Sequence, residues 1–170
     1  RRLALGGLLP EVAVRVARVS PMAVTTVTWS AACAPTTTER PRPAAAAPRF
    51  SDDDLGRAMA GSTRGVVYVW SPHMPLSVDG YRAIVTASSA RGVAVHAVLD
   101  PGADRTFAAA ERSRGGLPPE AVRVADSVEL LFRDVLVHAP AMQAWARGRL
   151  VGSAFPGAHG ADEYGAWLDR

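Results

Sequence analysis

The chain has 170 residues, 48% of them hydrophobic, and a net charge of +3, which suits one ordinary domain with a core plus an appendage and excludes global disorder. Every basic residue is Arg, dispersed among acidic residues with no aromatic interleaving, which argues against a nucleic-acid partner. A single cysteine, Cys33, excludes an internal disulfide, a Cys-x-x-Cys centre and a multi-cysteine zinc site, and no uninterrupted apolar run reaches transmembrane length.

Residues 1–33 read either as an export leader or as a disordered tail, and the residues leave both open. Arg15 and Arg18 precede a mostly apolar stretch, 19–32, that ends in Trp-Ser-Ala-Ala-Cys. Cys33, after two alanines and before a Pro/Thr/Ala tether, is similar to a bacterial lipoprotein attachment site, which makes it a candidate lipid anchor. Against this, Ser30 stands where such sites carry an aliphatic residue, and Pro21 and several Thr interrupt the apolar stretch. Export would place the protein in the periplasm or elsewhere outside the cytoplasm, tethered to the membrane if Cys33 carries a lipid; without it the protein is cytoplasmic. Residues 34–49 are a Pro/Thr/Ala-rich linker on either reading.

Residues 50–170 carry the regular signals. Ser51 followed by three aspartates is an N-cap with an acidic first turn, opening a helix to about Ala60. Gly65–Trp70 is a continuous β-branched and aromatic run, expected as a central strand covered on both faces. Ser77 is expected to cap a helix to about Ala90, with Val78, Tyr81, Ile84 and Val85 on one face. Val93–Leu99 reads as the next strand, Asp104–Ser113 as a helix, Ala121–Ala125 as a short strand, and Ser127 as the cap of a helix to about Val135. Met142–Ala146 and Leu150–Ser153 read as strands split by an Arg147-Gly148 turn, and Asp162–Leu168 as the last helix. The order α-β-α-β-α-β-α-β-β-α describes an α/β domain.

This order resembles the thioredoxin-like superfamily, in particular its cytochrome-maturation (TlpA-like) branch. The anchors are Phe-Ser-Asp-Asp-Asp-Leu at 50–55, Val-Tyr-Val-Trp-Ser-Pro-His at 67–73, and Asp-Ser-Val-Glu-Leu-Leu at 126–131 leading to His-Ala-Pro at 138–140. Further landmarks are the step from Pro140 to Gly148 and the stretch from Val151 to Gly157. The resemblance implies a three-layer α/β fold, a central mixed sheet flanked by helices, and an extra helix–strand insertion. It also implies a cis bond at Ala139-Pro140. In its register the two redox cysteines fall on Met74 and Ser77, leaving Met-Pro-Leu-Ser, and the buried acid of many relatives is replaced by Tyr68. Disulfide exchange needs a thiolate and a resolving thiol, so dithiol oxidoreductase activity is excluded on chemistry and an enzyme is not expected.

What remains is a binding surface, with Trp70, His73, Met74, Ser77, His138, Ala139 and Pro140 as its expected residues. The expected partner is a peptide or protein of the cell envelope, held at the former active-site groove by strand addition, without a cofactor. Two alternatives stand beside it. One is a periplasmic copper(I) carrier using His73, Met74 and His138, since imidazole and thioether ligands suit a soft cation. The other is a structural module of an envelope complex. Met142, two residues beyond Pro140 on a strand, is as compatible with the core as with a site.

The remaining candidates have plainer explanations. Ser77 with His138 and Asp134 invites a Ser-His-Asp reading, but no Gly-x-Ser-x-Gly elbow surrounds Ser77, and helix capping accounts for it. His96 alternates within a strand, His159 lies in a Gly-rich loop where exposure is expected, and Asp100 with Asp104 lacks the ligand density of a calcium loop. Trp145 and Trp167 are expected to pack structurally.

Overall fold

A computed structural model of the chain describes residues 47–133, 135 and 138–170. The proposed leader, Cys33 and Asp134 lie outside the described residues, as does the linker but for its last three positions. The first strand, β1 (Arg49–Ser51), is followed by α1 (Asp52–Gly61), β2 (Arg64–Trp70), α2 (Leu76–Ser89), β3 (Ala94–Leu99) and α3 (Arg105–Gly115). A 3₁₀ turn, Pro119–Val122, leads into β4 (Val124–Asp126), α4 (Val128–Phe132), β5 (Ala141–Ala146), β6 (Arg149–Pro156) and α5 (Ala161–Leu168).

Six strands form one sheet in the order β1-β4-β3-β2-β5-β6. β1, β4, β3 and β2 run parallel, and β5 and β6 close the other side antiparallel. The unit α3–β4 inserts β4 between β1 and β3, the extra helix–strand step expected from the resemblance. The fold is a three-layer α/β arrangement with a mixed six-stranded sheet as its middle layer, as the resemblance implies. Val66, Tyr68 and Trp70 of β2 pack under α2, α3 and α5, with Ile84, Ala108, Tyr164 and Leu168. Val67 and Val69 face the opposite layer, with Leu55 of α1 and Leu130 of α4. That two-sided burial explains why β2 is apolar without alternation.

Local chemistry sets the boundaries. Ser51 and Asp54 form a reciprocal capping box at α1: the Ser51 hydroxyl accepts from the Asp54 amide, and the Asp54 carboxylate accepts from the Ser51 amide. Asp104 and Ser127 cap α3 and α4 in the ordinary way. Arg147 (φ 52°) and Gly148 (φ 72°) both lie in the left-handed region and turn β5 back into β6.

Several expectations are corrected. β1 was not foreseen, because three residues are too short to show a period; it exists by pairing with β4. Its first residue, Arg49, lies within the stretch read as linker. The stretch expected as one strand, 121–125, divides into the end of the 3₁₀ turn and the start of β4. Ser77 does not cap α2. The N-cap is Pro75, and Ser77 lies within the first turn, its hydroxyl accepting from the Ser71 amide at 3.3 Å. α4 ends at Phe132, short of Val135.

Candidate functional site

The turn after β2 and the segment before β5 meet at one end of the sheet because of strand register. β2 and β5 pair antiparallel, with Tyr68 opposite Met142 and Val69 opposite Ala141. One step further along each strand, Trp70 approaches Pro140. The turn residues 71–77 and the segment 138–140 therefore leave the sheet side by side.

Part of this end is frame. Trp70 is fully buried, and its indole N–H donates to the Ala121 carbonyl at 2.8 Å, tying β2 to the 3₁₀ turn. Ser77 is also fully buried. Pro140 is buried, its carbonyl accepting from the Gly157 amide at 2.7 Å, and the Ala139–Pro140 peptide is cis. Trp70 and Ser77 thus shape the surface from beneath, a correction to their place among the contact residues. Met142 is fully buried in the core.

The exposed part comprises His73, Met74, Leu76 and His138, with Ala139 half-buried. Met74 is 47% and Leu76 62% exposed, large apolar side chains on a turn braced by two backbone hydrogen bonds, Met74 N–H to Ser71 O and Ser77 N–H to Met74 O. His73 leans towards α3. Its Nε2 accepts from the Asp104 amide at 3.4 Å, and its ring lies 5.2 Å from that of Phe107. Together with α2 and α3 the turn bounds a cleft of about 600 Å³, which His138 does not line. The charges around that cleft are paired: Arg82 with Asp79 at 3.2 Å, and Arg114 with Glu111. Among the described residues no group of three or more His, Cys, Asp or Glu side chains could hold a metal ion.

Beneath the turn lies a feature that sequence reasoning reached only in part. Tyr68, at the position of the expected acid, donates its hydroxyl to the Ser77 carbonyl at 2.7 Å. Burial pushes its pKa far up, and the neighbouring Tyr164 adds to the effect. Gly80 leaves the room for this pair: a Cβ there would lie 2.5 Å from the Tyr68 hydroxyl and 3.1 Å from that of Tyr164. Tyr164 in turn accepts from the His159 amide at 3.1 Å. The network joins β2, α2 and the loop before α5 without a carboxylate. Phe107 and Tyr164 are the site residues not anticipated, while Leu76 belongs to the turn expected as part of the surface. Its apolar character, inside the Met-Pro-Leu-Ser turn, offered the signal.

The other histidines are structural. His96 packs 5.5 Å from the Trp145 ring, and burial lowers its pKa. His159 is half-buried rather than exposed, stacked on Phe155 at 4.1 Å with Nε2 2.8 Å from the Pro156 carbonyl. Asp100 closes a turn on the Gly102 amide, and Asp104 caps α3.

No protein-family model matches the chain, and no curated protein matches it. Among solved structures, a secreted disulfide oxidoreductase of Mycobacterium tuberculosis, homologous to E. coli DsbE, is similar at 16% identity with a TM-score of 0.47. The match covers 63% of this chain and 81% of that one.

Proposed function

We propose that the domain is a redox-inactive binding module whose partner, an extended peptide segment of another protein, docks where the turn 71–77 meets 138–140. The carrying observation is the β2–β5 register, which brings the exposed Met74 and Leu76 to the same end of the sheet as the segment before β5. An apolar pair on a braced turn, beside a strand terminus, suits a partner that adds backbone hydrogen bonds to apolar side-chain contacts. Chemistry supports a binding role over exchange. The only sulfur at the turn is the Met74 thioether, which has no proton to lose, and Ser77 replaces a resolving thiol with a poor nucleophile.

The test is a titration of ¹⁵N-labelled chain with a panel of extended apolar peptides. Amide shifts should concentrate at 71–77 and 138–139 and weaken at least tenfold in Met74→Asp/Leu76→Asp. Shifts that map elsewhere, or that survive the double variant, overturn the reading. Export to the cell envelope belongs to the same proposal and rests on the pattern in 15–33. A fusion of residues 1–49 to a reporter active only outside the cytoplasm tests it, and an inactive fusion removes it.

A further inference from the structure

The far end of the β5–β6 hairpin carries a second concavity, away from the turn discussed above. A cleft of about 530 Å³ lies between β5–β6 and the end of α5, within the range of small-molecule sites. Its apolar walls are Val93, Val151, Phe155, Trp167 and Leu168. At this end of the hairpin β5 contributes only the small side chains of Ala144 and Ala146 from the face that carries Met142 further along, which leaves the floor of the cleft open. Phe155 and Trp167 are stacked at 5.3 Å, which fixes both rings in the wall.

The rim is strongly one-signed. Arg64 and Arg170 line the cleft, and an adjoining depression that shares Arg64, Ala146 and Val151 adds Arg147 and Arg149. No Asp or Glu lines either concavity. All four arginines are exposed, and none forms a salt bridge among the described residues. Asp169, which feels the Arg64 charge, is already held by Arg91 through two contacts of 2.9 Å. One Arg64 Nη donates to the Leu168 carbonyl at 2.5 Å, which fixes the guanidinium at the mouth of the cleft.

An apolar pocket ringed by unpaired guanidinium groups complements a molecule with an apolar body and an anionic head. Guanidinium is suited to carboxylate because its paired N–H donors match the two oxygens. We propose that this cleft binds a small amphipathic carboxylate, its hydrocarbon or aryl body against Phe155, Trp167 and Val151 and its head group on Arg64 and Arg149.

Calorimetric titration of the full chain with naphthalene-2-carboxylate, and with naphthalene-2-carboxamide as its neutral isostere, tests the proposal. The acid should bind at least tenfold tighter than the amide. Arg64→Gln/Arg149→Gln should remove that preference while leaving the amide's affinity in place, and Ala144→Phe should weaken both ligands at least tenfold by filling the floor. If Ala144→Phe disturbs folding by circular dichroism, Ser153→Phe on the exposed lip of the cleft serves as the blocking variant. Equal affinity of acid and amide overturns the proposal, as does binding that survives the blocking variant. So does sedimentation with phosphatidylglycerol vesicles without saturable binding of the acid, which would make the patch a membrane surface.

Discussion

Tyr68 shows how a neutral buried hydroxyl can brace a turn from beneath. Its hydroxyl satisfies the Ser77 carbonyl and sits in a space that Gly80 keeps open. Gly80→Ala should therefore destabilise the domain by about 1–3 kcal/mol through overpacking, read as a lower urea midpoint. Tyr68→Phe should cost roughly 1 kcal/mol for the lost hydrogen bond, without the clash. Burial raises the pKa of Tyr68, Tyr81 and Tyr164 alike. Because the folded values lie above the unfolded ones, stability is fully present below the ordinary tyrosine range and falls as pH rises through it. An alkaline titration should show phenolate absorbance appearing together with unfolding; phenolate signal from a still-folded domain at ordinary tyrosine pH would contradict this. The resemblance implies an acid where the sequence has Tyr68. Neither shows what the Tyr68 hydroxyl bonds to, since Tyr164 is far along the chain and only the fold brings it near.

Among the elements, α1 carries the clearest acid-sensitive contact. The Ser51 amide, then Arg57, the Ser51 hydroxyl and Arg123 hold the Asp54 carboxyl down at about 2, from an ordinary 3.8. Its contribution is present above the unfolded value and lost as pH falls through the folded one. Wild type should lose more stability between about pH 5 and pH 2 than Asp54→Asn, measured by urea unfolding at each pH, and equal losses would remove Asp54 from the account. Ser51→Ala should cost about 1 kcal/mol at neutral pH. The β5–β6 turn offers the opposite case. Arg147 holds a positive φ that an L side chain adopts only with strain, so Arg147→Asn should stabilise by about 0.5–1 kcal/mol. Long apolar runs and capping residues made α1, β2, β3, α3 and the hairpin legible in the sequence. β1, and the division of 119–126 into a turn and a strand, depend on pairing partners that a linear pattern does not contain. The start of α2 is not legible in the sequence, because Ser77 has the right chemistry for a cap and spends it on the Ser71 amide instead.

For the molecule as a whole, the proposed correspondence of Met74 and Ser77 to a Cys-x-x-Cys pair can be examined by placing sulfur at both positions. Met74 is exposed and Ser77 buried, with the Ser77 amide 2.9 Å from the Met74 carbonyl. In a Cys33→Ala background, Met74→Cys/Ser77→Cys should close an internal disulfide under mild oxidation, counted as loss of both free thiols in monomeric protein. Intermolecular dimers alone would show the register to be wrong. The turn and the 138–140 segment were foreseen as neighbours, and the β2–β5 register accounts for that. The direction of His73 was not foreseen, since it follows from Asp104 and Phe107 on the inserted α3. With His73 turned to α3, copper(I) titration should find no difference between wild type and a His73→Ala/His138→Ala variant, and tighter binding by wild type would favour a carrier role.

The interleaved strand order also bears on how the domain is made. β1 leaves the ribosome first among the described strands, yet its partner β4 lies 75 residues later, Phe50 pairing with Ala125. β2 gains its parallel neighbour β3 early but waits for β5 to cover its other edge, Val67 meeting Gln143. Pairings so distant in sequence make for slow folding and leave strand edges open during synthesis. A chain arrested before β5 would hold a central strand with one side bare, so the sheet has no stopping point short of the hairpin that completes it.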